Sequence, residues 1–316
     1  MLSIEDTAYP YFKKNITNKE LKKLYTPTKE EISMSNIKKR GQLKKEVKSA
    51  QFCFLVMLKT FQRFGYFVQL NNVPKSIIKH IARTLKIKTA DIPDLLKYDQ
   101  SRTRSRHMKE IRSYLKIQAY GEKGKEIIKN AVFEASKTKE DLADIINVAI
   151  EELVYKKYEL PAFSTITRYA IGGRAKVNKE IYKTIYDNID PESRENIDKL
   201  FVVADNNESV WNYMKSEPGK LTKDNLRERI TYYQWLSKYS IDEQALFAVP
   251  DVKIKQFFAE ANSHNATRML ELTEYKRYAL AVAFIYKKVS RALDDFGDML
   301  IKLILKIHAN GQKALA

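Results

Sequence analysis

Apolar residues recur every three or four positions along nearly the whole chain, and no segment alternates apolar with polar residues as a half-buried strand requires. The pattern predicts an all-α fold. Over 44–61, Val47, Ala50, Phe54, Leu58 and Phe61 form one stripe that Phe52, Leu55 and Met57 widen, so this helix is expected at the centre of a first core. Asn72-Val73-Pro74 then supplies a cap and a first-turn proline ahead of Ile77, Ile78, Ile81 and Leu85. A further helix is expected over 103–117. Another follows Thr138-Lys139-Glu140-Asp141, nearly a capping box, and carries Leu142, Ile145, Ile146, Ala149, Ile150 and Leu153. Tyr158-Glu159-Leu160-Pro161 stops it, and a domain boundary is placed there. Helical patterns continue over 162–188, 191–204, 222–239 and 250–262.

The last pattern is the most regular. Ala279, Val282, Tyr286, Val289, Leu293, Phe296, Leu300, Leu303 and Ile307 alternate three and four apart, which is either a coiled-coil seam or one long helix packing on its own domain. Self-association through this helix is therefore one expectation. Because the pattern runs almost to the last residue, a further region on which the helix would dock is expected beyond it. The division expected is 1–157 and 158–270, two helical subdomains of helix-turn-helix type, followed by the long helix over 271–316.

Charge changes the picture from fold to partner. The 316 residues carry 57 Lys and Arg against 39 Asp and Glu, a net charge of +18. Residues 1–130 hold 29 basic and 12 acidic side chains, leaving 28 and 27 for the remainder, so the excess lies almost wholly in the first part. A basic surface of this size can release counterions from a polyphosphate, which drives association with DNA or RNA irrespective of sequence; solvated lysine on helix surfaces is the plain alternative. An RNA partner is disfavoured, since no sheet-borne aromatic stacking motif is present. The single cysteine, Cys53, sits in an apolar run and reads as a core thiol. No apolar stretch reaches the roughly 18 residues of a membrane span, and the first residues lack the features of a signal peptide. A soluble, intracellular protein is expected.

Three basic clusters are candidate DNA contacts. In the segment 101–112, Arg102, Ser105, Arg106, Lys109 and Arg112 fall on one helix face and His107, Ile111, Tyr114 and Leu115 on the other, while Arg104 adds a fourth arginine. Guanidinium groups bind phosphates bidentately and read guanine edges, so this helix suits a major groove. The second cluster, Arg40, Lys44, Lys45 and Lys48, leads into the central apolar helix and places charge near its positive end. In the third, Thr165, Thr167 and Arg168 open a helix with short hydroxyl side chains, and Arg174 and Lys176 follow.

Signals for catalysis are poor. His80, His107, His264 and His308 are scattered, with His107 reading as a core imidazole, and no metal centre is expected. Gly121-Glu122-Lys123-Gly124-Lys125 has the wrong spacing for a phosphate loop and reads as a turn. Asp294, Asp295 and Asp298 read as a solvated flank rather than a two-metal site. No cofactor is expected in this chain.

The order of segments resembles the amino-terminal region of Tn-three family transposases. The resemblance rests on Lys39-Arg40-Gly41 ahead of Phe52-Cys53-Phe54-Leu55, on Val73-Pro74 before a helix, and on Tyr98 to Arg104 followed by His107-Met108-Lys109-Glu110-Ile111-Arg112. Leu160-Pro161-Ala162 with Ile166 and Arg168, Asn178-Lys179-Glu180-Ile181-Tyr182, and Lys276-Arg277-Tyr278-Ala279 extend it in the same order. It implies sequence-specific binding of double-stranded DNA at transposon terminal inverted repeats. It also implies that the family's catalytic domain, which uses Mg2+, has no counterpart in these residues. A helical protein-interaction module without specific DNA binding is the alternative expectation.

Overall fold

The computed structural model describes residues 3–35, 44–203, 209–215, 223–239 and 243–315. Among them every extended element is an α-helix. No strand forms, and the only β-type pairings are the isolated bridges Gln118 to Tyr158 and Val203 to Ser209. The all-α expectation is therefore met.

The chain divides into two compact units, Met1–Ala135 with Asp141–Gly172, and Ser136–Glu140 with Gly173–Ala316. Tyr158, Glu159, Leu160 and Pro161 thus lie inside the first unit. The helices of the first unit are α1 (Asn18–Tyr25), α2 (Lys29–Met34), α3 (Lys44–Phe64), α4 (Lys75–Thr84), α5 (Leu95–Asp99), α6 (Arg102–Leu115), α7 (Gly121–Thr138), α8 (Leu142–Tyr155) and the beginning of α9 (Phe163–Asp187). Two short helices, α1 and α2, were not anticipated. Both start at a reciprocal cap, Thr17 with Glu20 and Thr28 with Glu31, a Thr-x-x-Glu spacing that is legible in the sequence.

Helix α3 is central because it is apolar nearly all round: Phe52 to Leu58, Phe61 and Phe64 are buried, with Ile77, Ile81, Tyr98 and Ile111 packed on them. Cys53 lies in this core, where burial pushes its thiol up to about 12 and keeps it protonated. A second cluster joins α7, α8 and the start of α9 through Ile128, Val132, Ile145, Ala149, Leu153, Ile166 and Ala170. Helix α4 begins at Pro74, whose position as the cap gives no side-chain bond, so Asn72 does not cap it. Asp141, not Thr138, caps α8.

Residues 121–125, expected as a turn between elements, form the first helical turn of α7. Their two glycines have local reasons. Gly121 has φ +36°, and a Cβ on Gly124 would lie 2.6 Å from the Tyr120 ring.

The second unit contains the later part of α9, then α10 (Pro191–Leu200), α11 (Val210–Tyr213), α12 (Lys223–Leu236), α13 (Asp251–Ser263), α14 (Ala266–Leu270) and α15 (Glu274–Leu315). Its core surrounds Trp211, Phe257 and Phe284, and α12 and α13 pack on α15, whose residues Tyr278 to Ile285 are all buried. Inside this unit Lys253 is fully buried and donates to Glu140 and to Asn178 Oδ1 at 2.9 Å, while Arg174 donates to the Glu140 carbonyl at 3.0 Å. From Leu293 onward most apolar side chains of α15 lie outside the core cluster, although Met299 is buried. Leu293, Leu300, Ile301, Ile304, Leu305 and Ile307 are exposed, and Gly297 sits mid-helix with nothing near its Cβ position.

Candidate nucleic-acid interface

Helix α6 starts where the Ser101 hydroxyl accepts a hydrogen bond from the Arg104 amide, and it ends in a left-handed Lys116. Its inner face is fixed by His107 and Ile111, both buried. His107 stacks edge-on against Phe54 and its Nδ1 lies 2.7 Å from the Tyr98 hydroxyl. Burial, reinforced by the Arg106 guanidinium, lowers the imidazole to about 4, so it is neutral at physiological pH. The core reading of His107 therefore fits its surroundings.

The outer face carries Arg102, Ser105 and Lys109, all exposed, at spacings of three and four residues, with Arg106 beside them. Arg106 has one acidic neighbour, Glu110 at 3.6 Å. No ion pair or hydrogen bond within the described residues engages the charged ends of Arg102 or Lys109. Net positive charge thus remains on this face, available to an external anion.

The other two arginines of the segment point into the fold. The Arg104 Nε lies 3.3 Å from Asp99, which also accepts the amides of Leu70 and Asn71 at 3.1 Å each, and Arg104 Nη2 donates to the Val68 carbonyl. Arg112 donates twice to Glu159, at 2.9 and 3.1 Å, and lies over the Phe67 ring. Glu159 in turn accepts the Tyr120 amide at 3.1 Å. Arg112 consequently does not join the outer face its spacing allows. It braces the segment from which α9 begins, because a bidentate carboxylate partner and an aromatic ring outcompete water for a planar guanidinium.

The second cluster is only partly described. Arg40 lies outside the described residues, and of Lys44 and Lys45 only the helical placement in the first turn of α3 is described. Lys48 is exposed. In the third cluster Arg168 is exposed, with its guanidinium 5.9 Å from the Tyr169 ring centre. Thr165 is half-buried, and the Thr167 hydroxyl donates back to the Phe163 carbonyl at 3.0 Å. Arg174 is engaged by Glu140, and Lys176 lies 3.9 Å from Glu180. The structure therefore gathers Arg102, Ser105, Arg106 and Lys109 on one face, leaves Arg168 free on a second helix, and commits Arg104, Arg112 and Arg174 to internal bonds.

Sequence reasoning missed one exposed residue of this region, Ile171. It is 48 % exposed on the solvent side of α9, opposite the buried Ile166 and Ala170. The signal was its angular position, since at about 100° per residue it aligns with Ser164 and Arg168. Among the described residues no group of three or more His, Cys, Asp or Glu side chains converges to hold a metal, and no helix is long and apolar enough to cross a membrane.

Comparison with known proteins gives this surface a context. The chain is similar to the transposase for transposon Tn501 of Pseudomonas aeruginosa, 19 % identical over 262 residues that cover 82 % of this chain and 26 % of that protein. It is also similar to the transposase for transposon Tn1546 of Enterococcus faecium, 18 % identical over 266 residues, 83 % of this chain and 27 % of the relative. The chain spans about a quarter of the length of these curated relatives. The relationship to the amino-terminal region of Tn-three family transposases thus stands, and the class is that of transposase-related helical proteins. Within it, residues 1–172 match the family model described as a domain of unknown function, DUF4158, and the chain belongs to that family.

Proposed function

We propose that this chain recognises the terminal inverted repeats of a transposon as double-stranded DNA, as the end-recognition part of a transposase. The observation that carries the reading is the outer face of α6, where Arg102 and Lys109 are exposed and Arg106 is half-buried beside them, with a single carboxylate, Glu110, among them. Arg104 and Arg112 hold the helix and its neighbours in place, a positioning role. Arg168 and Lys48, and the Arg40, Lys44 and Lys45 cluster, add phosphate contacts. Phosphate contacts supply affinity without sequence information, and arginine forks on base edges supply about 1 to 3 kcal/mol of discrimination each. The relatives are transposases, which supports DNA as the partner.

An electrophoretic shift assay tests this directly. A duplex carrying the terminal inverted repeat of the encoding element is expected to bind at least about a thousandfold tighter at physiological salt than a scrambled duplex of equal composition. Equal affinity for the two defeats the sequence-specific claim.

A second reading is favoured by the exposed apolar residues of distal α15: the chain associates with itself through this helix. Light scattering is expected to show an oligomer that Leu293→Asp with Leu300→Asp reduces to a monomer. A monomeric wild-type chain excludes it.

A further inference from the structure

The solvent face of α9 within the first unit brings together a hydroxyl, a cation, an exposed aliphatic side chain and a glycine. Ser164, Arg168, Ile171 and Gly172 share it, whereas Ile166 and Ala170 take the inner side. Ile171 stands 48 % exposed beside a cation and a hydroxyl instead of in either core cluster of its unit. Gly172 has nothing within 4 Å of its Cβ position, unlike Gly124, where the Tyr120 ring would collide with a side chain. Its φ is not in the left-handed region, so no turn requires glycine there. A glycine inside a helix weakens the helix, and here no contact of the chain's own demands it.

Duplex DNA accounts for all four residues. The major groove presents guanine acceptors to an arginine, donors and acceptors to a short hydroxyl, and the thymine methyl to an exposed aliphatic side chain. A helix lying in that groove also gains from a missing side chain where its backbone nears the sugar-phosphate wall. We infer that α9 is a base-reading helix in which Ile171 packs on a thymine methyl, Arg168 and Ser164 contact neighbouring base edges or phosphates, and Gly172 permits close approach. This rests on the duplex-binding reading above and adds to it a base and a residue that reads it. Thr167, whose hydroxyl is spent on its own helix, takes no part.

The test uses the full chain and duplexes enriched from a random pool. Each thymine of the enriched site is replaced in turn by deoxyuridine, which pairs identically and lacks only the methyl group. At one thymine, wild-type affinity is expected to fall roughly fourfold, the effect of one methyl leaving an apolar contact. Ile171→Ala is expected to bind the thymine duplex several-fold more weakly and to lose the distinction between thymine and deoxyuridine at that position. Gly172→Ala is expected to raise Tm while weakening DNA binding. If Ile171→Ala keeps the wild-type affinity, or keeps the same thymine preference, the assignment of Ile171 is overturned although the chain still reads DNA. If no sequence is enriched at all, the duplex-recognition reading itself fails.

Discussion

Replacing Glu140 by Ala is expected to destabilise the second unit by about 3 to 5 kcal/mol, whereas Lys253→Met is expected to leave its stability nearly unchanged or to raise it. The asymmetry follows from what each change strands. Lys253 is fully buried and its charge is answered by Glu140, with Asn178 Oδ1 accepting a second bond at 2.9 Å. Without the Glu140 carboxylate an ammonium stays in the interior with one neutral partner, and desolvation of a charge is then uncompensated. Without the lysine, Glu140 keeps Arg174, whose Nη1 is 3.5 Å from its carboxylate and also holds its backbone carbonyl. Methionine fills the vacated volume with apolar atoms. Both tryptophans, Trp211 and Trp235, belong to this unit, so urea unfolding followed by tryptophan fluorescence reads it selectively. Equal losses for the two variants contradict the account.

Lowering the pH from 6.5 to 4 is expected to remove about 3 kcal/mol of stability from the first unit through His107 alone. The imidazole is held at about 4 in the folded chain, first by burial and then by the Arg106 guanidinium, against 6.5 when unfolded. Between those values the unfolded chain binds the additional proton. The contribution is therefore complete above about pH 6.5 and lost as the pH falls through about 4. His80 is also lowered by burial and adds a loss of the same sign, so the informative comparison is wild type against His107→Gln. Hydrogen exchange at the amides of α3 and α6 is expected to steepen with falling pH in wild type and less so in the variant. Identical slopes refute the assignment.

The helical class was legible because burial on one face imposes a three-to-four-residue period, and the central place of α3 because residues 52–58 are apolar in a row, each one buried. The long final helix was legible for the same reason, although only its first part, around Tyr278 to Ile285, is enclosed by its own unit. Residues 121–125 misled because two close glycines look like a turn between elements, whereas they open a helix where one glycine takes a positive φ and the other lies under the Tyr120 ring. The candidate interface was half legible. Helical spacing correctly separates His107 and Ile111 from Arg102, Ser105 and Lys109. It could not foresee that Glu159, 47 residues after Arg112, would claim that guanidinium, or that Asp99 would claim Arg104. Charge pattern tells where cations are, and only the fold tells which of them are already spent.

The central claim is that the outer face of α6 grips phosphates, and a salt titration of duplex affinity tests it most directly. For the wild-type chain and for the combined variant Arg102→Gln, Arg106→Gln and Lys109→Gln, the logarithm of the association constant is plotted against that of the salt concentration. Each phosphate contact contributes a slope of about −0.9, so the variant's line is expected to be shallower by roughly 2 to 3, with its helical circular dichroism unchanged. Superimposable lines for the two proteins would contradict the account.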